Sequence, residues 1–190
     1  VLDWSIDAAR AATDGVVLVV AADRADHGEP AADVVVVGGA SRSDSVRAGL
    51  AALPANCTHV AVHDGARPLA GPALFIAVLD ALDDAGVAGA LPGATVTDTI
   101  KRVAGDVVVE TIDRAHLVAV QTPQAFAVDV LRSAHAAGAD ATDDAALVEA
   151  AGGRIVVVPS SPTNIKITHP ADLAFADVLL ARAGDGGSGH

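Results

Sequence analysis

The chain has 190 residues, enough for one domain with a sizeable core. Hydrophobic residues make up 52% but aromatics only 2%, and there is no Met, so Ala and Val must fill the interior through close backbone approach. Acidic residues outnumber basic ones 24 to 12; the formal charge of −12 excludes a general nucleic-acid or anionic-membrane binder, and leaves any anionic ligand to a few placed cations.

Cys57 stands alone, so no internal disulfide is expected. Residues 1–10 lack the basic region and apolar stretch of a signal peptide. The longest apolar runs, such as 16–22, are too short to span a bilayer. The expectation is a soluble cytoplasmic protein.

In chain order, the apolar spacing predicts a helix over 2–13, with Leu2, Ile6, Ala9 and Ala12 on one face. Strand-length apolar runs follow at 16–22 and 33–37, the second ending in Gly38 and Gly39. A helix over 43–53, a strand over 59–63, a helix over 71–85 and a strand over 87–91 continue the alternation. Near-continuous β-branched runs suit strands buried on both faces by helices. Residues 97–103 and 107–112 flank Ala104-Gly105-Asp106, a hairpin pattern that leaves the sheet. A strand near 118–120, a tight extended turn at 121–124, helices near 127–137 and 143–151, and strands at 155–158 and 165–168 come next. Pro170 opens a final helix running to about 183, and the Gly-rich residues 184–190 read as a frayed tail.

Open α/β sheets bind ligands beyond the carboxyl ends of their strands, so the segments after each strand carry the chemistry. No G-x-x-x-x-G-K-[ST] and no G-x-G-x-x-G follows a strand. After the second strand, Gly38-Gly39-Ala40-Ser41-Arg42-Ser43-Asp44-Ser45 either approaches a ligand closely or is a turn capped by Ser43 or Asp44. Gly39-x-Ser41-x-Ser43 lacks the last Gly of a hydrolase nucleophile elbow. After the third strand, His63-Asp64-Gly65-Ala66-Arg67-Pro68 offers a carboxylate for Mg²⁺ carried by a nucleoside triphosphate and a guanidinium for phosphate. The plainer alternative is a surface turn with Asp64 and Arg67 paired. His59 and His63 are four residues apart on one strand, about 13 Å, too far to share an ion.

Asp98-Thr99-Ile100-Lys101 and Asp113-Arg114 sit at the hairpin base, either to reach a ligand or as cross-strand pairing. Thr142-Asp143-Asp144 caps the next helix. Asn164-Ile165-Lys166-Ile167-Thr168 places one of only two lysines in a short apolar strand. Lys166 there contacts a phosphate or pairs with an acid such as Asp172.

Taken in order, these segments, from Gly38-Gly39 through His63-Asp64-Gly65-Ala66-Arg67-Pro68 and Gln121-Thr122-Pro123-Gln124 to Asn164-Ile165-Lys166-Ile167-Thr168, resemble the methylerythritol phosphate cytidylyltransferase family from Val1 to about Leu180. The resemblance implies an α/β, Rossmann-like nucleotidyltransferase domain over 1–183, with a mostly parallel sheet flanked by helices. It implies a protruding β-hairpin arm, about 95–114, that embraces a second subunit to make a homodimer. CTP and Mg²⁺, or another divalent cation, are the implied nucleotide and metal, and a polyol phosphate the acceptor; no nucleic acid and no membrane is implied.

Residue by residue, Gly38, Gly39 and Ser45 match positions that hold the cytidine moiety. Asp64 matches a carboxylate beside the reacting phosphates and the metal. Gly65 stands where relatives usually carry Ala, with its backbone on the nucleotide. Arg67, Thr99 and Arg114 match positions on the acceptor side, the last two delivered by the partner's arm. Lys166 matches a lysine on the acceptor phosphate and is implied, with Asp64, in catalysis.

Ala40 replaces a frequent Asp, and the family's opening strand and Gly-rich loop with its Arg and Lys are absent from the sequence, so a preceding segment is expected. The alternatives left open are a ribitol 5-phosphate cytidylyltransferase and a non-catalytic dimeric relative. The Gly-Ala-Arg-Pro at 65–68 leans to the methylerythritol enzyme over the ribitol one.

Overall fold

A computed structural model describes residues 1–136 and 138–185, the side chains of 27 and 182–185 excepted. The element order is α1 (Leu2–Arg10), β1 (Val17–Val20), β2 (Val34–Val37), α2 (Arg42–Ala51), β3 (His59–Val62), α3 (Pro72–Asp80), β4 (Gly89–Thr95), β5 (Ile100–Ala104), β6 (Val107–Ile112), β7 (Val118–Val120), β8 (Gln124–Ala127), α4 (Val128–His135), α5 (Asp144–Ala150), β9 (Ile155–Pro159) and α6 (Pro170–Asp185). The α/β class, the central sheet flanked by helices and the separate hairpin are as expected from the sequence.

β4 is the centre of the main sheet. It pairs in parallel with β9, Gly89 opposite Ile155, and antiparallel with β7 and β8 on its other side. β7 and β8 act as one strand interrupted at Gln121–Pro123, since Val120 lies opposite Gly93 and Phe126 opposite Gly89. β8 then pairs antiparallel with β3. β1 and β2 form their own parallel pair.

The expected, mostly parallel strand direction holds with one exception: β3, β4 and β9 run one way, and the reversed β7–β8 strand lies between β3 and β4. β8 escapes a sequence reading because Thr122-Pro123 marks a turn and Gln124 is polar. Gln124 is nonetheless buried, its amide satisfied by the Asp143 carboxylate and the Ala145 N–H.

Small residues set the packing. A Cβ on Gly89 would lie 2.5 Å from Phe126 Cδ1, so the bare backbone of β4 makes room for the fully buried Phe126. Phe126 packs with Leu50, Leu91, Leu131 and Val148 between the sheet and α2, α4 and α5. On the other face Phe75 of α3 meets Ala8 of α1 and Ala70, and Val78 meets Ala90 and Ala125. α1 is shorter than predicted; its last turn is tied down by Arg10, which donates to the Ala31 carbonyl and pairs with Asp33 at 2.8 Å.

β5 and β6 form the predicted hairpin, turning at Gly105 with φ 62° and leaving Val103, Val107, Val108 and Val109 more than half exposed. Residues 165–168 do not form a strand. They lie along the loop after β3, joined to it by Ile167 N–H donating to Ala66 O at 2.8 Å, and pair with no strand. Of the expected frayed tail, 184–185 belong to α6 and 186–190 lie outside the described residues, as does residue 137 of the helix predicted over 127–137. Among the described residues no helix is long and apolar enough to cross a membrane.

Candidate active site

β3 ends at Val62, and His63 to Arg67 leave the sheet beside the interruption between β7 and β8. Such a bulge re-aims side chains at the sheet's end. Asp64 N–H donates to Thr122 Oγ1 at 3.0 Å. The Thr122 hydroxyl proton then faces His63 Nδ1, also at 3.0 Å. His63 thus carries its ring proton on Nε2, directed at the Arg67 carbonyl 3.3 Å away. Burial pushes the His63 pKa down to about 4, against the opposing pull of the Arg67 carbonyl and the Asp64 charge. His63 is a neutral strut of the loop. α1 supports the same loop from below, Ser5 Oγ donating to Gly65 O at 3.1 Å.

Asp64 faces two cations. Lys166 Nζ lies 2.9 Å from its Oδ2 and Arg67 Nε 3.8 Å from the same oxygen. Burial alone would raise the Asp64 pKa. The hydrogen bond and charge of Lys166, then the charges of Arg67 and Arg42, outweigh it and hold the carboxyl below its ordinary value. Lys166 remains 46% exposed against 26% for Asp64, so its ammonium is at the surface, within reach of an anion. The alternative pairing of Lys166 with Asp172 is not formed; Asp172 instead accepts from Thr168 and His169 N–H groups at the start of α6. Arg67 is more buried and donates through Nη1 to the Asn164 carbonyl at 2.8 Å.

The Gly38–Gly39 segment folds tightly onto α2. A Cβ on Gly39 would lie 2.1 Å from Asp44 Cβ, a collision that only Gly avoids. The N-cap is Ser41, in a capping box with Asp44, and not Ser43 or Asp44 as the sequence suggests. Ser43 is buried inside the helix. Ser45 Oγ accepts from Gly39 N–H at 3.2 Å and donates to Ser41 O at 3.0 Å, so its hydroxyl closes the loop.

Arg42 links this loop to α5: its Nη2 lies 2.6 Å from Oδ2 of Asp144, which is fully buried and also meets His135 Nε2 at 2.9 Å. Asp143, not Asp144, caps α5. Thr99 stands just before β5 and Arg114 just after β6, where its guanidinium donates to the Thr97 carbonyl. Cross-strand pairing engages their neighbours, Lys101 with Thr111 at 2.6 Å and Arg102 with Glu110 at 2.8 Å. Among the described residues no hydrogen bond or ion pair joins Thr99 or Arg114 to the Asp64 cluster.

The sequence-predicted residues thus fall into three groups: Asp64, Gly65, Arg67 and Lys166 together at the end of β3, Gly38, Gly39 and Ser45 at the end of β2, and Thr99 and Arg114 on the hairpin. The sequence gives Arg42, His63, Thr122 and Asn164 no place in a site, and Asp144 only a share in a helix cap. Of these only His63, directly after the apolar run 60–62, stands out from its sequence neighbours.

As a metal site, the cluster supplies one carboxylate. Among the described residues no three His, Cys, Asp or Glu side chains gather as a cage. A single acid whose Oδ1 is not used by a protein donor suits a hard cation whose other ligands are phosphate oxygens and water.

A family model for 2-C-methyl-D-erythritol 4-phosphate cytidylyltransferase matches residues 1–182. The chain is 52% identical over 147 residues to a Nitratidesulfovibrio vulgaris protein named bifunctional enzyme IspD/IspF, a match covering 75% of this chain and 37% of that one. It is 42% identical over 196 residues to a 2-C-methyl-D-erythritol 4-phosphate cytidylyltransferase of Prochlorococcus marinus, covering 95% and 85% of the two chains. A crystal structure of 2-C-methyl-D-erythritol 4-phosphate cytidylyltransferase from Thermus thermophilus superposes with a TM-score of 0.82 at 35% identity, over 95% of this chain and 88% of that one. The chain spans a little over a third of the length of the bifunctional relatives it matches.

Proposed function

The chain belongs to the 2-C-methyl-D-erythritol 4-phosphate cytidylyltransferase family, and from that premise we propose that it transfers CMP from CTP to 2-C-methyl-D-erythritol 4-phosphate. A phosphate oxygen of the acceptor attacks the α-phosphorus of CTP. The bond from that phosphorus to the oxygen bridging to the β-phosphate breaks, and pyrophosphate leaves. The product, 4-diphosphocytidyl-2-C-methyl-D-erythritol, is an isoprenoid precursor. Phosphoryl-group chemistry of this kind asks the protein mainly for positioning and charge neutralisation.

The observation that carries the reading is the Asp64–Lys166 pair with Arg67 beside it: two cations converging on one carboxylate at a sheet end. In the free protein Asp64 holds Lys166 in place; with ligands bound, the ammonium turns to the acceptor phosphate. Arg67 donates to the same anion. A divalent cation such as Mg²⁺, held by Asp64 and the triphosphate, would supply charge neutralisation. Gly38, Gly39 and Gly65 present backbone to the nucleotide, and Ser45 fixes the shape of that loop. The hairpin's exposed valines suit a second copy of the chain, and a homodimer brings Thr99 and Arg114 to the partner's acceptor site. The acidic surface and lone Cys57 suit the cytoplasm.

The test is incubation of the full-length protein with CTP, Mg²⁺ and either methylerythritol 4-phosphate or ribitol 5-phosphate, following pyrophosphate release and the cytidylylated product. Product with the first acceptor is expected. Faster turnover with ribitol 5-phosphate would reassign the acceptor, and no product with either would overturn the reading.

A further inference from the structure

Asn164 is 3% exposed, and its side chain ends in the middle of a polar knot. Its Nδ2 donates to Gln121 Oε1 and to the Thr122 carbonyl, both at 3.1 Å. Both partners are acceptors, so the amide's orientation is fixed and Oδ1 is left without a protein partner. Gln121 is itself anchored, accepting from Ser160 Oγ at 2.7 Å and donating to Ser161 O at 3.1 Å. The main-chain carbonyl of Asn164 accepts from Arg67 Nη1. Thr122, whose carbonyl Asn164 holds, takes the Asp64 N–H on its hydroxyl. Two residues further on, Lys166 reaches Asp64.

Asn164 therefore stands at the junction of three segments: 63–67 with Asp64 and Arg67, 164–168 with Lys166, and 121–123 between β7 and β8. Those segments share no sheet ladder: 63–67 and 164–168 are loops, and 121–123 is the interruption between β7 and β8. The β3–β8 ladder, which ends at Val62 opposite Gln124, places 63–67 beside 121–123, whereas the placement of 164–168 against both rests on side-chain hydrogen bonds and on the single Ile167 to Ala66 backbone bond. We infer that Asn164 is a positioning residue: its amide clamps the interruption between β7 and β8 to the 164–168 segment and so sets the distance of Lys166 and Arg67 from Asp64.

This inference rests on the proposed cytidylyl transfer for its kinetic reading, but it has a readout that needs no substrate. In the full-length protein, Asn164→Ala should speed amide hydrogen exchange at Asp64 and Ile167 by tenfold or more on the order-of-magnitude scale of local opening. With substrates, kcat/KM for the polyol phosphate should fall about thirtyfold while KM for CTP stays within about threefold. In a Lys166→Ala background the same substitution should cost less than about threefold, because the group it positions is gone. Asn164→Asp keeps the shape but turns an oxygen towards two acceptors, and should act like Asn164→Ala; it replaces that variant if Ala prevents folding.

Unchanged exchange at Asp64 and Ile167 would overturn the inference. So would effects of Asn164 and Lys166 substitutions that simply multiply, or a loss of kcat with both KM values unchanged in step with a lower Tm, which marks a merely structural role. A wild-type protein inactive with both acceptors would overturn the proposed reaction instead, and the exchange experiment would still decide the positioning role.

Discussion

Lys166 and Asp64 meet at 2.9 Å although neither lies in a strand or helix. A half-exposed pair of this kind contributes little to folding, typically below about 1 kcal/mol. In the proposed reaction it keeps a cation next to the carboxylate until the acceptor phosphate arrives. Asp64→Asn keeps the shape and removes the charge. Turnover with CTP and Mg²⁺ should drop by at least about a hundredfold, while Tm moves by no more than a few degrees. Parallel kinetics and thermal melts of the two proteins check this. An unchanged rate would remove Asp64 from the site.

The His63 strut makes stability depend on pH. Its folded pKa is about 4, below the ordinary 6.5, so the unfolded chain binds this proton first as pH falls. The contribution is fully present above pH 6.5 and is lost progressively down to about 4, on the order of 3 kcal/mol in all. Denaturant midpoints measured across that window should decline in the native protein and decline less in His63→Gln, which cannot take up the proton. Equal slopes in the two proteins would show that His63 is not the group responsible.

How far the site is legible in sequence follows from where each residue finds its partners. Gly105 with Asp106 marks the hairpin because a turn is local. Asp64 is legible because it directly follows an apolar run, where an α/β sheet puts its ligands. Lys166 is singled out by its rarity, yet the strand predicted around it is absent: Ile167 N–H bonds to the Ala66 carbonyl of a loop and to no strand. β8 is hidden by Gln124, whose burial depends on Asp143 and Ala145 far along the chain. Thr122 and Asn164 look like ordinary turn residues until the fold brings the bulge and the 164–168 segment together. Apolar periodicity reports only one element at a time, so the groups that tie segments together stay unseen.

Asp144 carries a different prediction. It is fully buried, with Arg42 on one oxygen and His135 on the other. Breaking a fully buried ion pair generally costs about 3–5 kcal/mol, and Arg42, 34% exposed, recovers part of that from water. Asp144→Ala should therefore lower the urea midpoint sharply, and far more than Asp64→Asn does. It should also weaken CTP binding, because Arg42 belongs to the first turn of α2, directly after the Gly38–Gly39 loop. Urea titration with and without CTP separates the two effects. A midpoint within experimental error of the native value would mean that the buried pair is not needed to hold α5 against α2.

The proposed sharing of sites between subunits makes a sharper demand. Lys166 belongs to the chain that carries Asp64, whereas Arg114 would enter from the partner's hairpin. Arg114→Ala and Lys166→Ala homodimers should each be nearly inactive, since every site in them lacks one phosphate-binding cation. In a heterodimer of the two, one site combines intact Lys166 from the first chain with intact Arg114 from the second. The other site carries both lesions. Random re-pairing of equal amounts makes half of the dimers mixed, so total activity should recover to about a quarter of native. Tagging the two chains differently and purifying the mixed species should raise this to about half. If purified heterodimers are as inactive as the parents, both residues serve the same subunit and the hairpin has some other task. If the protein is monomeric at micromolar concentration by light scattering, the exposed Val103, Val107, Val108 and Val109 face solvent without a second copy, and the shared site falls with the dimer.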